Sequence, residues 1–568
     1  MTSLAPIWLA CLLAAAESGA GAAPAPSGIR FRDVTAQTGI AFRHTDGSSG
    51  RRYIVEYVSA GLATFDYDGD GLTDIYFVNG APLPGTVSET VPGNALYRNL
   101  GEFRFLDVTD AAGVGDIRFG LGATVADYDN DGFPDLYVSN FGPNVLYRNN
   151  GDGTFSDVTN QAGVGRGDKV GAGVAFLDAN GDGCLDLFVS NYVVFSFDRA
   201  VTRRLKGVPS YASPLDYTPD RNDFFRNQGD GTFRDAGRES GIAAHAGTGM
   251  GMVCADVNGD GHTDIVVAND VMPNFFFKND GRGNFQEAGL LAGLAYDAAG
   301  SPHGSMGVDA GDFDNDGLLD FVVTSYQREF TTLYRNLGGE VFADVTRQTG
   351  AGEGSFATVK WGCSLVDFDN DGHRDLFVAC SHIDDNVELR DDTTSYLSRC
   401  VVLRNTGNRR FVNVTDQAGD GLSPRRSHRG AAFDDLDNDG RIDVVLLNSR
   451  STPTILRNES ATGKHWLQLQ VRGRQANRDS VGARVKLVAG NLVLVDEIHS
   501  GRGYQSHYGS CLHFGLGPHQ HVDRLEITWV GGSTDVLHDL AVDQRLLVLE
   551  GAGAIPLAEP LGAHGQRR

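Results

Sequence analysis

The chain has 568 residues, 41% of them hydrophobic, and a formal net charge of −25 from 48 basic and 73 acidic side chains. That length allows a large core and two domains. The acid excess argues against nucleic acid as a partner, and no apolar run reaches the roughly twenty residues that a membrane-spanning helix needs.

Taken from the N-terminus, Ile7 to Ala16 is an apolar run, and Ala20-Gly-Ala22 offers small residues for cleavage. Residues 1–26 are therefore expected to be a signal peptide and the mature protein to be secreted or periplasmic. The run is not preceded by Lys or Arg, and Trp8-Leu-Ala-Cys11 fits a lipoprotein cleavage site poorly.

Next comes a nine-residue acidic loop, Asp-x-Asp/Asn-x-Asp-Gly-x-x-Asp, written seven times. Each copy offers side-chain oxygens at positions 1, 3, 5 and 9, a main-chain carbonyl at position 7 and a glycine at position 6 where the chain must turn. Those are the requirements of Ca²⁺, which takes six to eight oxygen ligands. The carboxylate positions are Asp66, Asp68, Asp70 and Asp74; Asp127, Asp129, Asp131 and Asp135; Asp312, Asp314, Asp316 and Asp320; Asp367, Asp369, Asp371 and Asp375; and Asp435, Asp437, Asp439 and Asp443. Two copies carry Asn at position 3: Asp178, Asn180, Asp182 and Asp186, and Asp256, Asn258, Asp260 and Asp264. These two sites should hold the ion less tightly. The carbonyl donors are Leu72, Phe133, Cys184, His262, Leu318, His373 and Arg441. Seven structural ions would offset 14 of the negative charges, leaving roughly −11. The flanks are not helical and position 12 is not a fixed Glu, so these are not EF-hands; bare acidic turns are the alternative to calcium.

Around each loop the same short runs recur. A glycine-rich stretch precedes it and an apolar run such as Ile75-Tyr-Phe-Val78 follows. A Leu-Tyr-Arg-Asn strand starts at Leu96 and is echoed at Leu146, Phe224, Phe276, Leu333, Val402 and Ile455. A Phe-x-Asp-Val-Thr strand or a relative of it starts at Phe31, Phe105, Phe155, Phe233, Phe285, Phe342 and Phe411. Four strands per unit, repeated seven times, predict an all-β fold, a seven-bladed β-propeller over residues 27–458. A Phe strand precedes the first loop and none follows Ile455 to Asn458, so the N-terminal strand is expected to complete the last blade and close the ring. An open row of calcium-stapled hairpins is the alternative.

Past Asn458 lies a polar link, Glu459 to Lys464, and then a second set of motifs: Asn477-Arg-Asp-Ser-Val-Gly-Ala-Arg484, Gly501-Arg-Gly-Tyr-Gln-Ser506, His513-Phe-Gly-Leu-Gly517 and Val522-Asp-Arg-Leu-Glu-Ile-Thr-Trp529. Together with the acidic loops they resemble the FG-GAP/VCBS-type calcium propellers, and specifically the cartilage acidic protein family with a C-terminal ASPIC/UnbV domain; Ser480 departs from that pattern. The resemblance implies a small β-rich, sandwich-like domain over 464–550 and an extracellular protein that recognises or adheres to a glycan, matrix or cell-surface ligand. Residues 551–568, rich in Gly, Ala and Pro, are expected to form a loose tail.

Six cysteines follow Cys11. Cys380 could pair with Cys400 around an insertion or with Cys363 across a hairpin, but not with both; Cys184, Cys254 and Cys511 look like buried thiols. Blade connectivity puts all calcium loops on one face, with the two longest insertions, about 192–222 and 381–398, on the other. On that second face Tyr57, Arg118, Lys169 and His303, joined by Lys360, Trp361, His428 and Arg429, are expected either to ring the axis as a mainly cationic funnel for an anion or sugar, or to be ordinary solvated loop residues. No serine elbow, HExxH, CxxC pair or phosphate loop is present. An enzyme, lyase- or cyclase-like, with His303 or His428 as general base in the funnel, is the competing function. His507 and His513 around Tyr508 and Cys511 read as ordinary strand residues rather than a metal cluster.

Overall fold

The computed structural model describes residues 28–59, 61–87, 91–461 and 463–557; the expected signal peptide lies outside them. Among the described residues, six four-stranded antiparallel sheets pair each of their strands with the next of the sheet in sequence, and a seventh takes its outer strand from the N-terminus. The innermost strands are Leu62–Phe65, Phe119–Ala126, Gly171–Leu177, Gly249–Ala255, Val308–Gly311, Lys360–Val366 and His428–Asp434. Each packs against its successor, and the last packs against the first. The result is an all-β, propeller-like ring whose cores lie between adjacent sheets, where Phe, Tyr, Val and Leu from neighbouring units are buried together.

Closure comes from the displaced N-terminal strand. Phe31, Arg32 and Asp33 pair with Asn458, Arg457 and Leu456, which makes Phe31–Asp33 the outer strand of the last sheet. The Phe-x-Asp-Val-Thr motif is a local hydrogen-bond device. Asp107 accepts from both the backbone N–H and the hydroxyl of Thr109, and that hydroxyl accepts from the Leu96 N–H of the neighbouring strand. The same three bonds recur at Asp157, Thr159 and Leu146 and at Asp33, Thr35 and Ile455, and two of them at Asp344, which accepts from the Thr346 N–H while the Thr346 hydroxyl accepts from the Leu333 N–H.

Beyond Asn458 two further four-stranded sheets enclose one core. The first holds Leu512–Gly517, His465–Arg472, Gln544–Leu549 and Gly553–Pro556; the second holds Leu492–Glu497, Arg484–Ala489, His521–Thr528 and Thr534–Ala541. Gly553–Pro556 pairs with Leu546–Leu549, so the loose tail expected from residue 551 is a sheet edge there. Its backbone finds ladder partners that composition alone does not reveal.

Candidate metal centre

Every acidic loop is built on its first carboxylate. Asp66 accepts from the N–H groups of Asp70 and Gly71 at 3.1 and 2.9 Å, and Asp127, Asp178, Asp256, Asp312, Asp367 and Asp435 accept from the corresponding residues. Position 4 is left-handed in each loop. Gly69, Gly181 and Gly259 take φ of +70 to +74°, and Asn130, Asn315, Asn370 and Asn438 take +56 to +59°; Asn is the side chain that tolerates this conformation best.

Two asparagine sets, whose roles the sequence reading did not recognise, stitch the loops into a ring. Asn130 donates to Gly183 O in the next loop, Asn315 to Gly372 O, Asn370 to Gly440 O and Asn438 to Gly71 O. The Asn ending each Leu-Tyr-Arg-Asn strand reaches the other way, to the position-2 carbonyl of the preceding loop. Asn149 meets Tyr67 O, Asn227 Tyr128 O, Asn279 Ala179 O, Asn336 Val257 O, Asn405 Phe313 O, Asn458 Phe368 O and Asn99 Leu436 O. The recurrence of these asparagines at fixed spacing was the available signal.

The residues fit a hard cation. Asp66, Asp68 and Asp70 bring carboxylate oxygens within 4.8 Å of one another, as do Asp127, Asp129 and Asp135; Asp312, Asp314 and Asp316; Asp367, Asp369 and Asp371; and Asp435, Asp437 and Asp443. Buried oxygens without hydrogen-bond partners occur at position 3 in Asp68, Asn180, Asp314 and Asp437, and at position 9 in Asp186 and Asp264. An unsatisfied buried acceptor is costly, and repeated acceptors at equivalent positions are what an oxygen-coordinated cation would satisfy. Burial first, and the neighbouring carboxylates after it, push Asp66 up to about 6, Asp127 and Asp435 to about 7 and Asp264 to about 8. In the Asn loops the amide nitrogens of Asn180 and Asn258 lie 2.8 and 2.9 Å from Asp182 and Asp260. The position-7 N–H groups of Leu72, Phe133, Cys184, His262, Leu318, His373 and Arg441 donate to the position-5 carboxylate.

The C-terminal domain sits on this loop face. Asp479 accepts from Asp127 N–H at 2.6 Å and Glu497 from Asp256 N–H at 3.1 Å. Gln468 donates to Asp435, Lys464 pairs with Asp369, and His513 lies 2.7 Å from the Asn370 amide oxygen. From this domain the connection between Leu492–Glu497 and Leu512–Gly517 enters the middle of the ring. Gly503 pairs with Val308, His507 bonds to Leu62 and Thr64, Gln505 O accepts from Ala123 N–H, and Tyr504 Oη donates to Val58 O at 2.7 Å. Arg502 forms a buried 2.6 Å ion pair with Asp309. Gly501 is left-handed, and a Cβ there would meet Val174 O at 2.0 Å, so the segment fits between strands only with glycine.

This threaded segment overturns the expected cationic funnel. Tyr57, Trp361, His428 and Arg429 are buried. Arg429 stacks 4.1 Å over Trp361 and bonds the carbonyls of His382 and His428, and Trp361 meets Tyr504 edge-on. Arg118, Lys169 and His303 are not brought together; each pairs with its own acid, Asp116, Asp223 and Asp297 respectively. Lys360 is buried too, its ammonium held by Tyr326 O and Glu329 O and pushed down to about 7 by burial. Burial also lowers the His428 imidazole to about 4, a poor match for the general-base role. His507 is buried and His513 half-buried; they bond to Ser510 and Asn370 respectively and are not gathered into a metal cluster.

All six described cysteines are free. The pairing between Lys360–Val366 and Asp375–Cys380 shifts register between Lys360 and Cys363, which sets Cys363 opposite Val378. The symmetry about the loop that appeared to place Cys363 opposite Cys380 is broken by that bulge. Ladder pairing between the second and third strands stops at Val378 and Val401, short of Cys380 and Cys400.

The model of the FG-GAP-like repeat matches residues 66–138, 127–189, 212–267, 256–323, 312–378 and 367–446, more than half of the chain. The chain belongs to the FG-GAP-like repeat family. Residues 473–555 of this FG-GAP-like protein match the ASPIC and UnbV model. It is homologous to cartilage acidic protein 1, being 27% identical to the Homo sapiens protein over 389 residues, 67% of this chain and 53% of that protein, and 26% identical to the Mus musculus protein, with 67% and 54% covered. The chain thus spans about half the length of the curated relatives it matches. Among solved structures, an Agrocybe aegerita protein described as recognising non-reducing terminal N-acetylglucosamine is 17% identical, with a TM-score of 0.35 over 62% of this chain and 79% of that one. Among the described residues no helix is long and apolar enough to cross a membrane.

Proposed function

We propose that this FG-GAP-like chain is an extracellular, calcium-binding recognition or adhesion protein in which Ca²⁺ is structural and the ligand is a glycan, matrix component or cell-surface protein. The observation that carries the reading is the position of the acidic loops. Their carboxylates, with unpartnered oxygens, lie beneath the ASPIC/UnbV domain, so ions bound there would join two domains and have little room to meet a substrate. The face left for recognition is the opposite one, where the insertions meet: Ser210 and Tyr211 bond to Asp384, and Lys206 bonds to Arg390 O. Homology to cartilage acidic protein 1 supports an extracellular setting, where millimolar calcium fills sites with dissociation constants of about 10⁻⁴ to 10⁻³ M.

The test has two arms on one preparation. Calcium titration of chelator-treated protein should raise the melting temperature and bind several ions per chain, and a glycan and matrix array probed with the calcium-loaded protein should give hits lost with chelator. Absence of calcium binding by folded protein would overturn the metal reading; a silent array from calcium-loaded protein would overturn the recognition reading.

A further inference from the structure

On the face opposite the acidic loops, the two insertions and the mouth of the ring enclose a cavity of about 160 Å³. Its wall includes the aromatic residues Tyr57, Tyr211 and Tyr326, the apolar residues Met306 and Ile383, and the acidic residue Asp270. Tyr57 and Tyr211 meet edge to face with centroids 5.2 Å apart.

Asp270 is the informative member. It is 4% exposed, accepts one side-chain hydrogen bond, from Tyr192 Oη at 2.7 Å, and forms no ion pair among the described residues. Tyr192 Oη is itself 2.8 Å from Tyr57 Oη, so the acid and the aromatic wall are one connected unit. A buried carboxylate is expensive unless it takes up a proton or meets a positive charge; burial pushes Asp270 up to about 7, and a bound cation would hold it ionised. No side chain supplies one. Arg203, the cationic residue on the wall, is ion-paired with Asp216 and 43% exposed. Tyrosine faces attract cations, most strongly where water is excluded. At about 30 Å³ per water, the cavity has room for about five water molecules, enough for a small headgroup and too little for an oligosaccharide.

We propose that this cavity is a binding site for an alkylammonium group, with Asp270 as its counter-ion and Tyr57, Tyr211 and Tyr326 as its aromatic walls. The group is presented either by a small free amine or by a lysine side chain of a partner protein. This site is independent of the acidic loops and goes beyond the calcium reading.

The test is calorimetric titration of the calcium-loaded full chain with choline, ethanolamine, the N-acetyl methylamide of lysine, and dimethylbutanol, the neutral carbon isostere of choline. Saturable binding of at least one ammonium probe is expected, with dimethylbutanol at least about tenfold weaker than choline or ethanolamine, as loss of a desolvated charge pair requires. Stronger binding of the lysine probe than of the free amines assigns the site to a partner's side chain; the reverse assigns it to a small amine. Asp270→Asn should weaken binding at least about tenfold at an unchanged melting temperature. If that variant does not fold, comparison with the neutral isostere on the parent protein decides. Equal binding of the neutral isostere, no saturable binding of any ammonium probe to folded protein, or full binding by a folded Asp270→Asn chain overturns the proposal.

Discussion

The side-chain amide of Asn99 donates to the carbonyl of Leu436 at 2.9 Å across 337 residues. The same amide donates to Thr73 O, and its oxygen accepts from Gly101 N–H. One buried side chain therefore joins the first acidic loop to the last at the seam where the two ends of the ring meet.

Asn99→Ala should destabilise the calcium-saturated protein by about 2–4 kcal/mol, because it leaves several buried groups unsatisfied at about 1–3 kcal/mol each. Asn150→Ala, at the exposed turn after the next Leu-Tyr-Arg-Asn strand, should stay within about 0.5 kcal/mol. Chemical denaturation of both variants checks this, and equal effects would show that Asn99 is not a stitch. Deleting residues 27–36, which removes the strand paired with Arg457, should abolish soluble expression.

Calcium and protons should compete. Asp127 and Asp435 at about 7 and Asp264 at about 8 lie above the ordinary carboxylate value of 3.8 chiefly because they are buried. Without calcium the folded chain binds protons that the unfolded chain releases, so these groups add stability as pH falls from 8 towards 4. Calcium must displace those protons. The gain in melting temperature between chelator and saturating calcium should therefore be smaller at pH 6 than at pH 8. Burial holds the His428 and His499 imidazoles near 4, which removes stability as pH falls below 6.5, but this acts on both samples and drops out of the difference. A gain that is equal or larger at pH 6 would refute carboxylate coordination.

The two Asn loops allow a charge test. Asn180 Oδ1 is buried and unpartnered. Asn180→Asp should tighten calcium binding at that loop by roughly tenfold, since one added unit charge a few ångströms from the ion is worth several kcal/mol near protein, less the repulsion among the acids. The effects on melting temperature should have opposite signs, upward in saturating calcium and downward in chelator. A shift of the same sign in both conditions would mean that the loop does not hold the ion.

Arg502 should anchor the threaded segment. Arg502→Ala leaves Asp309 buried, with only Ser364 Oγ and Leu365 N–H as side-chain-directed partners, and should cost about 3–5 kcal/mol. Replacing both members, Arg502→Met with Asp309→Leu, should recover much of the loss. Thermal melts, with hydrogen exchange over residues 498–511, report the effect; a single variant that melts and exchanges like the parent would refute the anchor.

The repeat, its strand order and the closure at Phe31 were legible because each unit rewrites the same acids, aromatics and glycines at fixed spacing. The acidic loops were legible for the same reason. The axial site was not. Tyr57, Arg118, Lys169 and His303 align by offset from their loops, but offset says nothing about what fills the axis, and the occupant comes from Gly501-Arg-Gly-Tyr-Gln-Ser506, roughly 200 to 450 residues away in sequence. Burial of Trp361 and Arg429 follows from that long-range contact. The Cys363–Cys380 pairing failed for a local reason, a bulge that composition does not announce.

Closure between Phe31–Asp33 and Leu456–Asn458 also sets a clock on biosynthesis. Arg30 bonds to Ser460, 430 residues downstream, and the segment filling the axis is made later still. At about 5–20 residues per second, the N-terminal strand waits roughly 20 to 90 s for its partner. Throughout that interval the Phe31–Asp33 strand has no ladder partner and the nascent ring has a hollow centre. The assembly is finished only after Gly501 to Ser506 have been made, so factors that shield unpaired strands during synthesis or transport should govern its yield more than the stability of the completed ring does.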